Sequence, residues 1–146
     1  VGGISTLEEK SLGCIRKGGE SPVMDVVDYA GLIKTKGLNL LSSPGNDIVS
    51  STALAASGCQ IILFTTGRGT PLGSFVPTVK VSSNTPLAEK LMIGLFGAAV
   101  LAGCCNIEEV RERFINTVLE IVDGRFSKSE LNNSREMAIF KSGVTL

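Results

Sequence analysis

The stretch Phe64–Ser74, FTTGRGTPLGS, concentrates residue types that bind anions. Thr65 and Thr66 lead into Gly67, Arg68, Gly69 and Thr70, with Pro71 and Gly73 just beyond. Glycine lets backbone N–H groups approach an anion with no Cβ in the way. Threonine hydroxyls add further donors. The Arg68 guanidinium is a planar fork that can hold a carboxylate or phosphate through two parallel bonds. The group reads as an oxyanion cradle; the plainer reading is a tight turn with a surface arginine. It is not GxGxxG, and GRGTPLG lacks the lysine and Ser/Thr pair of a Walker A loop, so a nucleotide site is poorly supported.

Two other clusters carry polar chemistry. In TLEEKS, Glu8 and Glu9 stand beside Lys10, a set that could act as base, acid or metal ligand. The same residues suit the first turn of any helix, where carboxylates face the positive end of the helix dipole. In PGND, Asn46 and Asp47 follow an apolar run; a turn with a helix N-cap is the simpler account. The chain has no histidine, which removes the commonest general base and metal ligand. Any such chemistry would need carboxylates, lysine, thiols or another polypeptide. Cys14, Cys59, Cys104 and Cys105 fit neither zinc nor CxxC spacing and read as free, buried thiols.

Periodicity and punctuation supply the elements that would position these groups. STLEEKSLGCIRKGG reads as a helix capped by Ser5 or Thr6 and stopped by Gly18–Gly19. SPVMDVVDYA reads as a second short helix, with Ser21 as cap and Pro22 at its first position. GLNLLSSP reads as a strand. GNDIVSSTALAASG reads as a helix capped by Asn46 or Asp47. CQIILFTT is nearly all apolar and β-branched, as a strand covered on both faces would be, and VPTVKVSS is a third strand. A helix is expected around TPLAEKLM. NIEEVRERFINTVLEIVDG gives the strongest helical period, through Val110, Phe114, Ile115, Val118, Leu119 and Val122. A last short helix falls in SKSELNNSREMAIF. This order predicts one small, layered, Rossmann-like α/β domain over residues 1–146, with a mostly parallel sheet flanked by helices. Ligands of such sheets bind at the carboxyl ends of strands, and Thr65–Gly73 lie past the end of the clearest one.

Composition narrows the function classes. With 146 residues and 43% apolar content the chain can bury a real core. Formal net charge is zero and there is no tryptophan, which disfavours phosphate tracking and base stacking, so no nucleic-acid partner is expected. Leu91–Cys105 is uncharged but spans only 15 residues, short of the ~20 that cross a bilayer. It reads as a buried helix or as the interface of a homo-oligomer, and no membrane association is expected. VGGISTLEEK shows no signal peptide and reads as the start of a piece of a longer protein.

GGISTLEEKSLGCIRKGG, GLNLLSSPGNDIVSSTALAASGCQIILFTTGRGTPLGSFVPTVKVSSN and DGRFSKSELNNSREMAIFKSGVTL, in this order, resemble the C-terminal region of the altronate/galactarate dehydratase family. The resemblance covers nearly the whole chain, and FTTGRGTP with LEEKSLG is its most specific part. It implies a cytoplasmic hydro-lyase of hexuronate catabolism. Such an enzyme removes water from a sugar acid, D-altronate giving 2-dehydro-3-deoxy-D-gluconate, with a divalent metal such as iron or manganese. It implies upstream domains that carry the metal ligands. By this resemblance Thr65, Thr66, Gly67, Arg68, Gly69 and Thr70 would bind substrate, and Glu8, Glu9 and Lys10 would be catalytic. Galactarate dehydratase and sulfolactate-type lyases are sister activities it leaves open. A non-catalytic module that binds an anion or assembles subunits is the alternative from another class.

Overall fold

The computed structural model describes residues 6–67, 69–82 and 106–141. Its elements run α1 (Leu7–Lys17), β1 (Val23–Val27), β2 (Leu38–Leu41), α2 (Asp47–Ala56), β3 (Ile62–Thr66), β4 (Thr78–Ser82), α3 (Ile107–Val122) and α4 (Lys128–Leu131). The mixed α/β class is the expected one. The sheet is not one continuous layer among the described residues: β1 pairs with β2, β3 pairs with β4, and both pairs are parallel.

Parallel neighbours need a connection that returns to the same end, commonly through a helix. Here the described residues of both returns are irregular, over 28–37 and over 67 and 69–77. The second of these contains the glycine-rich stretch. Its place after β3 is therefore set by topology: it must carry the chain from the carboxyl end of β3 back to the start of β4.

One expectation fails outright. Val23–Val27 form a strand, not a helix capped by Ser21. Val23, Val26 and Val27 are β-branched and favour extended backbone, and β2 offers them a parallel partner in register, Val26 beside Leu40 and Val27 beside Leu41. Pro22 precedes the strand, where its missing N–H costs no ladder bond. The double coverage expected of β3 also fails. Ile62 is buried while Leu63 and Thr65 are exposed, so the strand is half-covered with the period of two.

Caps settle the helix starts. The Thr6 hydroxyl accepts the Glu9 N–H at 3.2 Å, and the Asn46 Oδ1 accepts those of Ile48 and Val49, so Thr6 caps α1 and Asn46 caps α2. Asn106 accepts the Glu108 N–H and opens α3; Ser127 and Glu130 form a reciprocal capping box on α4. Gly58 and Gly124 end α2 and α3 at φ of 103° and 104°.

The core lies where α2 packs on β3 and α4 packs on β4. Ala53, Ile62, Leu72 and Val79 are buried there, with the small polar residues Thr52, Ser57 and Thr78. On α3, Val110 is buried, while Ile115, Leu119 and Val122 of the predicted stripe stay exposed. On α1, Leu7, Leu12 and Ile15 are exposed. Cys14 is exposed rather than buried as expected, because its helix is not packed down; Cys59 is half-buried and burial pushes its thiol up. Both are free. The helix expected around TPLAEKLM, the Leu91–Cys105 run, Cys104 and Cys105 lie outside the described residues. Among the described residues no helix is long and apolar enough to cross a membrane.

Candidate functional site

The return loop after β3 is built on threonine hydroxyls. Thr66 Oγ1 accepts the Gly69 N–H at 2.9 Å, and Thr70 Oγ1 accepts the Leu72 N–H at 3.2 Å. Each hydroxyl keeps its own proton to donate. The Gly69 N–H is thus directed at Thr66 rather than at an outside anion, so the donors this geometry offers are hydroxyls more than glycine amides. Gly69 has φ 84°, a left-handed conformation that glycine adopts without a Cβ penalty. Thr65 and Thr66 are separated by the strand's alternation. Thr66 shares a face with Ile62 and Phe64, whereas Thr65 points the other way and is exposed. Gly67 is exposed, and Arg68 lies outside the described residues.

Three distant segments meet beside this loop. Asn46, Asp47 and Ile48 at the start of α2, Thr70, Pro71 and Leu72 of the loop, and Glu136 near the end of the chain line a groove of about 280 Å³. That is near the lower bound of the ~300–1,000 Å³ range of small-molecule pockets. The closing segment is fastened in place. Glu136 N–H donates to the Gly73 carbonyl at 2.7 Å and Ala138 N–H to Thr52 Oγ1 at 3.1 Å. Phe140 N–H donates to the Tyr29 hydroxyl, whose ring lies 5.4 Å from that of Phe140. A Cβ at Gly73 would collide with the Ser134 carbonyl oxygen, so only glycine permits this approach.

Of the residues singled out in sequence, Thr70, Asn46 and Asp47 line the groove and Thr66 braces the loop. Glu8 and Glu9 do not line it. They sit exposed in the first turn of α1, where the dipole accounts for them, and Lys10 follows in the same helix. Sequence reasoning missed Glu136, which only the chain's return brings near residue 70. It also missed Lys80, which β3–β4 register sets beside Phe64 and therefore on the face of Thr66. Burial pushes the Lys80 ammonium below its ordinary value, and the Glu136 carboxylate partly opposes that. A lysine between two valines, the one charge in VPTVKVSS, was the available signal.

The groove is lined by two carboxylates, an amide and a hydroxyl, together with the apolar Ile48, Pro71 and Leu72. Asn46 Oδ1 and Thr70 Oγ1 already accept backbone N–H groups, so the two carboxylates are what suit a ligand rich in hydroxyl donors. An anion would be repelled by Asp47 and Glu136 unless a cation met it.

Residues 1–145 match the family described as D-galactarate/altronate dehydratase, C-terminal. The chain belongs to this family. It is 58% identical over 148 aligned residues to the altronate dehydratase of Bacillus subtilis, covering 100% of this chain and 30% of that protein. To the altronate dehydratase of Escherichia coli it is 53% identical, again over 100% of the chain and 30% of the relative. Galactarate dehydratase (L-threo-forming) of Escherichia coli is 33% identical over 85% of the chain and 24% of its own length. The chain therefore spans about 30% of the length of the first two relatives.

The family resemblance implies a divalent metal. Among the described residues no group of three or more His, Cys, Asp or Glu side chains converges to hold one. Asp47 and Glu136 alone are fewer ligands than the usual three or more of a protein zinc-type site. The described residues do not fit the metal by themselves.

Proposed function

We propose that residues 1–146 form the C-terminal domain of an altronate dehydratase, a hydro-lyase that converts D-altronate to 2-dehydro-3-deoxy-D-gluconate and water. The observation that carries this reading is the 58% identity to a protein named altronate dehydratase, running the full length of the chain. The lower identity to galactarate dehydratase, 33%, ranks that substrate second.

Within this reading the domain binds substrate. A sugar acid has a carboxylate at one end and a hydroxyl on each following carbon. The Asp47 and Glu136 carboxylates, the Asn46 amide and the Thr70 hydroxyl suit the polyol end. The carboxylate end then belongs with Arg68, and the hydroxyl proton of Thr66 extends its donor set. Thr65, Gly67 and Gly69 shape the loop around it. Dehydration starts with loss of the proton next to the carboxylate, and the negative charge that builds on the carboxylate oxygens needs cations or donors already in place. The proton acceptor and a divalent metal, iron or manganese, are assigned to the portion of the polypeptide that precedes this domain in family members. Glu8, Glu9 and Lys10 keep at most an auxiliary polar role. A cytoplasmic location accompanies the sugar-acid reading.

The test uses the full-length polypeptide. Arg68→Ala lowers kcat/KM for altronate on the order of 100-fold, as loss of one oxyanion donor does elsewhere. Glu136→Gln acts mainly through KM. Unchanged kinetics for both variants would sink the binding assignment and favour a non-catalytic module for assembly.

A further inference from the structure

The pair β1–β2 carries apolar residues on both faces. Register sets Val23 beside Leu38, Val26 beside Leu40 and Val27 beside Leu41, with a bulge at Met24. In-register neighbours share a face and successive residues alternate. One face carries Val27 and Leu41 with Asp25 and Asn39; Val27 on it is only 8% exposed, while Asp25 is exposed. The other presents Val23, Val26, Leu38 and Leu40, without a charged side chain. Val26 is 69% and Leu40 49% exposed. Met24 at the bulge is exposed as well.

This arrangement is unstable in water for two physical reasons. Parallel strands occur almost only where both faces are covered, since their sequences are apolar on both. A two-stranded pair alone is marginal. Nor does the face belong to the groove, whose lining comes from α2, the β3–β4 return and Glu136.

The geometry points to this face as the docking surface for the upstream portion of the same polypeptide. The occupant is an uncharged, apolar surface of that portion. Two observations choose it over other occupants. The family description places this region at the C-terminal end, and the match leaves most of the relatives' length outside it. An intramolecular partner of that size is present at high effective concentration whenever the chain is made. The inference rests on the reading of this chain as part of a longer dehydratase.

The experiment uses the full-length protein with p-benzoylphenylalanine in place of Val26. It is purified as a mixture of ¹⁴N and ¹⁵N chains, irradiated, and mapped by mass spectrometry. A cross-link from position 26 to a peptide upstream of residue 1, within one isotopic chain and insensitive to dilution, is the expected result. Cross-links between isotopic chains would give the face to a second copy. Cross-links to residues 83–105 would give it to this region itself. An absence of cross-links would leave it to solvent. Each of these three overturns the inference. Should the substituted protein fail to fold, peroxide oxidation of Met24 in the unsubstituted protein reads the same face: protection is expected, and oxidation as fast as free methionine overturns the inference. Altronate turnover is measured on the same samples. Turnover without the intramolecular cross-link sinks only the docking face; the cross-link without turnover sinks only the dehydratase reading.

Discussion

At Gly69 a single backbone angle, φ 84°, links loop shape to the acceptor role of Thr66. Gly69→Ala forces a Cβ into the left-handed region and should cost about 1–2 kcal/mol, read as a lower urea midpoint. Arg68→Lys tests the fork itself. It restores charge but not two parallel bonds, so it should recover only part of the activity lost in Arg68→Ala. Lys80 gives a pH prediction. Burial holds its ammonium below the ordinary 10.5. The folded chain therefore binds fewer protons than the unfolded one between that lowered value and 10.5, so this site's contribution to stability rises with pH through the window. Lys80→Met removes this partly buried charge. Its gain in urea midpoint over the parent should be largest near neutral pH and shrink towards pH 10.5; a gain constant across that range would contradict the assignment. The roles of Thr66 and Thr70 were half legible. Their types were visible, but which hydroxyl braces an amide and which lines a groove depends on alternation along β3 and on the course of the loop.

The strap of residues 134–140 decides whether the groove exists. It is held by hydrogen bonds to Gly73, Thr52 and Tyr29. Thr52 also donates to the Ile48 carbonyl at 2.8 Å, so it ties α2 to the strap. Thr52→Val leaves the Ala138 N–H without its acceptor and should cost about 1–3 kcal/mol, with faster amide exchange confined to the strap. Thr78→Val should likewise leave the Ser74 N–H without its acceptor and loosen the loop. Thr78 is 1% exposed and its hydroxyl accepts the Ser74 N–H at 3.0 Å. Gly73→Ala pushes a methyl into the Ser134 carbonyl and should open the groove more than either. The helix ends and α1, α2, α3 and α4 were legible because caps and 3.6-residue periods are local. β1 was not. SPVMDVVDYA carries a helix-start signature, and the pairing that overrides it is supplied by Leu38–Leu41.

For the molecule as a whole, the isolated chain should bind a sugar acid weakly at best and should not dehydrate altronate, whereas the full-length polypeptide should. Steady turnover by the purified chain alone contradicts the division of labour proposed above. The exposed apolar residues of α1 and of the β1–β2 face fit the same division, since a domain evolved against a partner leaves its contact surfaces uncovered when described alone.

The sequence by itself determined the α/β class, most helix boundaries, the strand-end position of the glycine-rich loop and the family. These are written in short-range patterns of cap, period and punctuation. Only the tertiary structure decided that the loop's neighbours are Asn46, Asp47 and Glu136, that Lys80 shares the face of Thr66, and that Glu8 and Glu9 stand apart from the groove. The reason is physical. Parallel pairing and strap docking join residues far apart in the chain, and the free energy that selects them comes from burial and hydrogen bonds that exist only once both partners are in place.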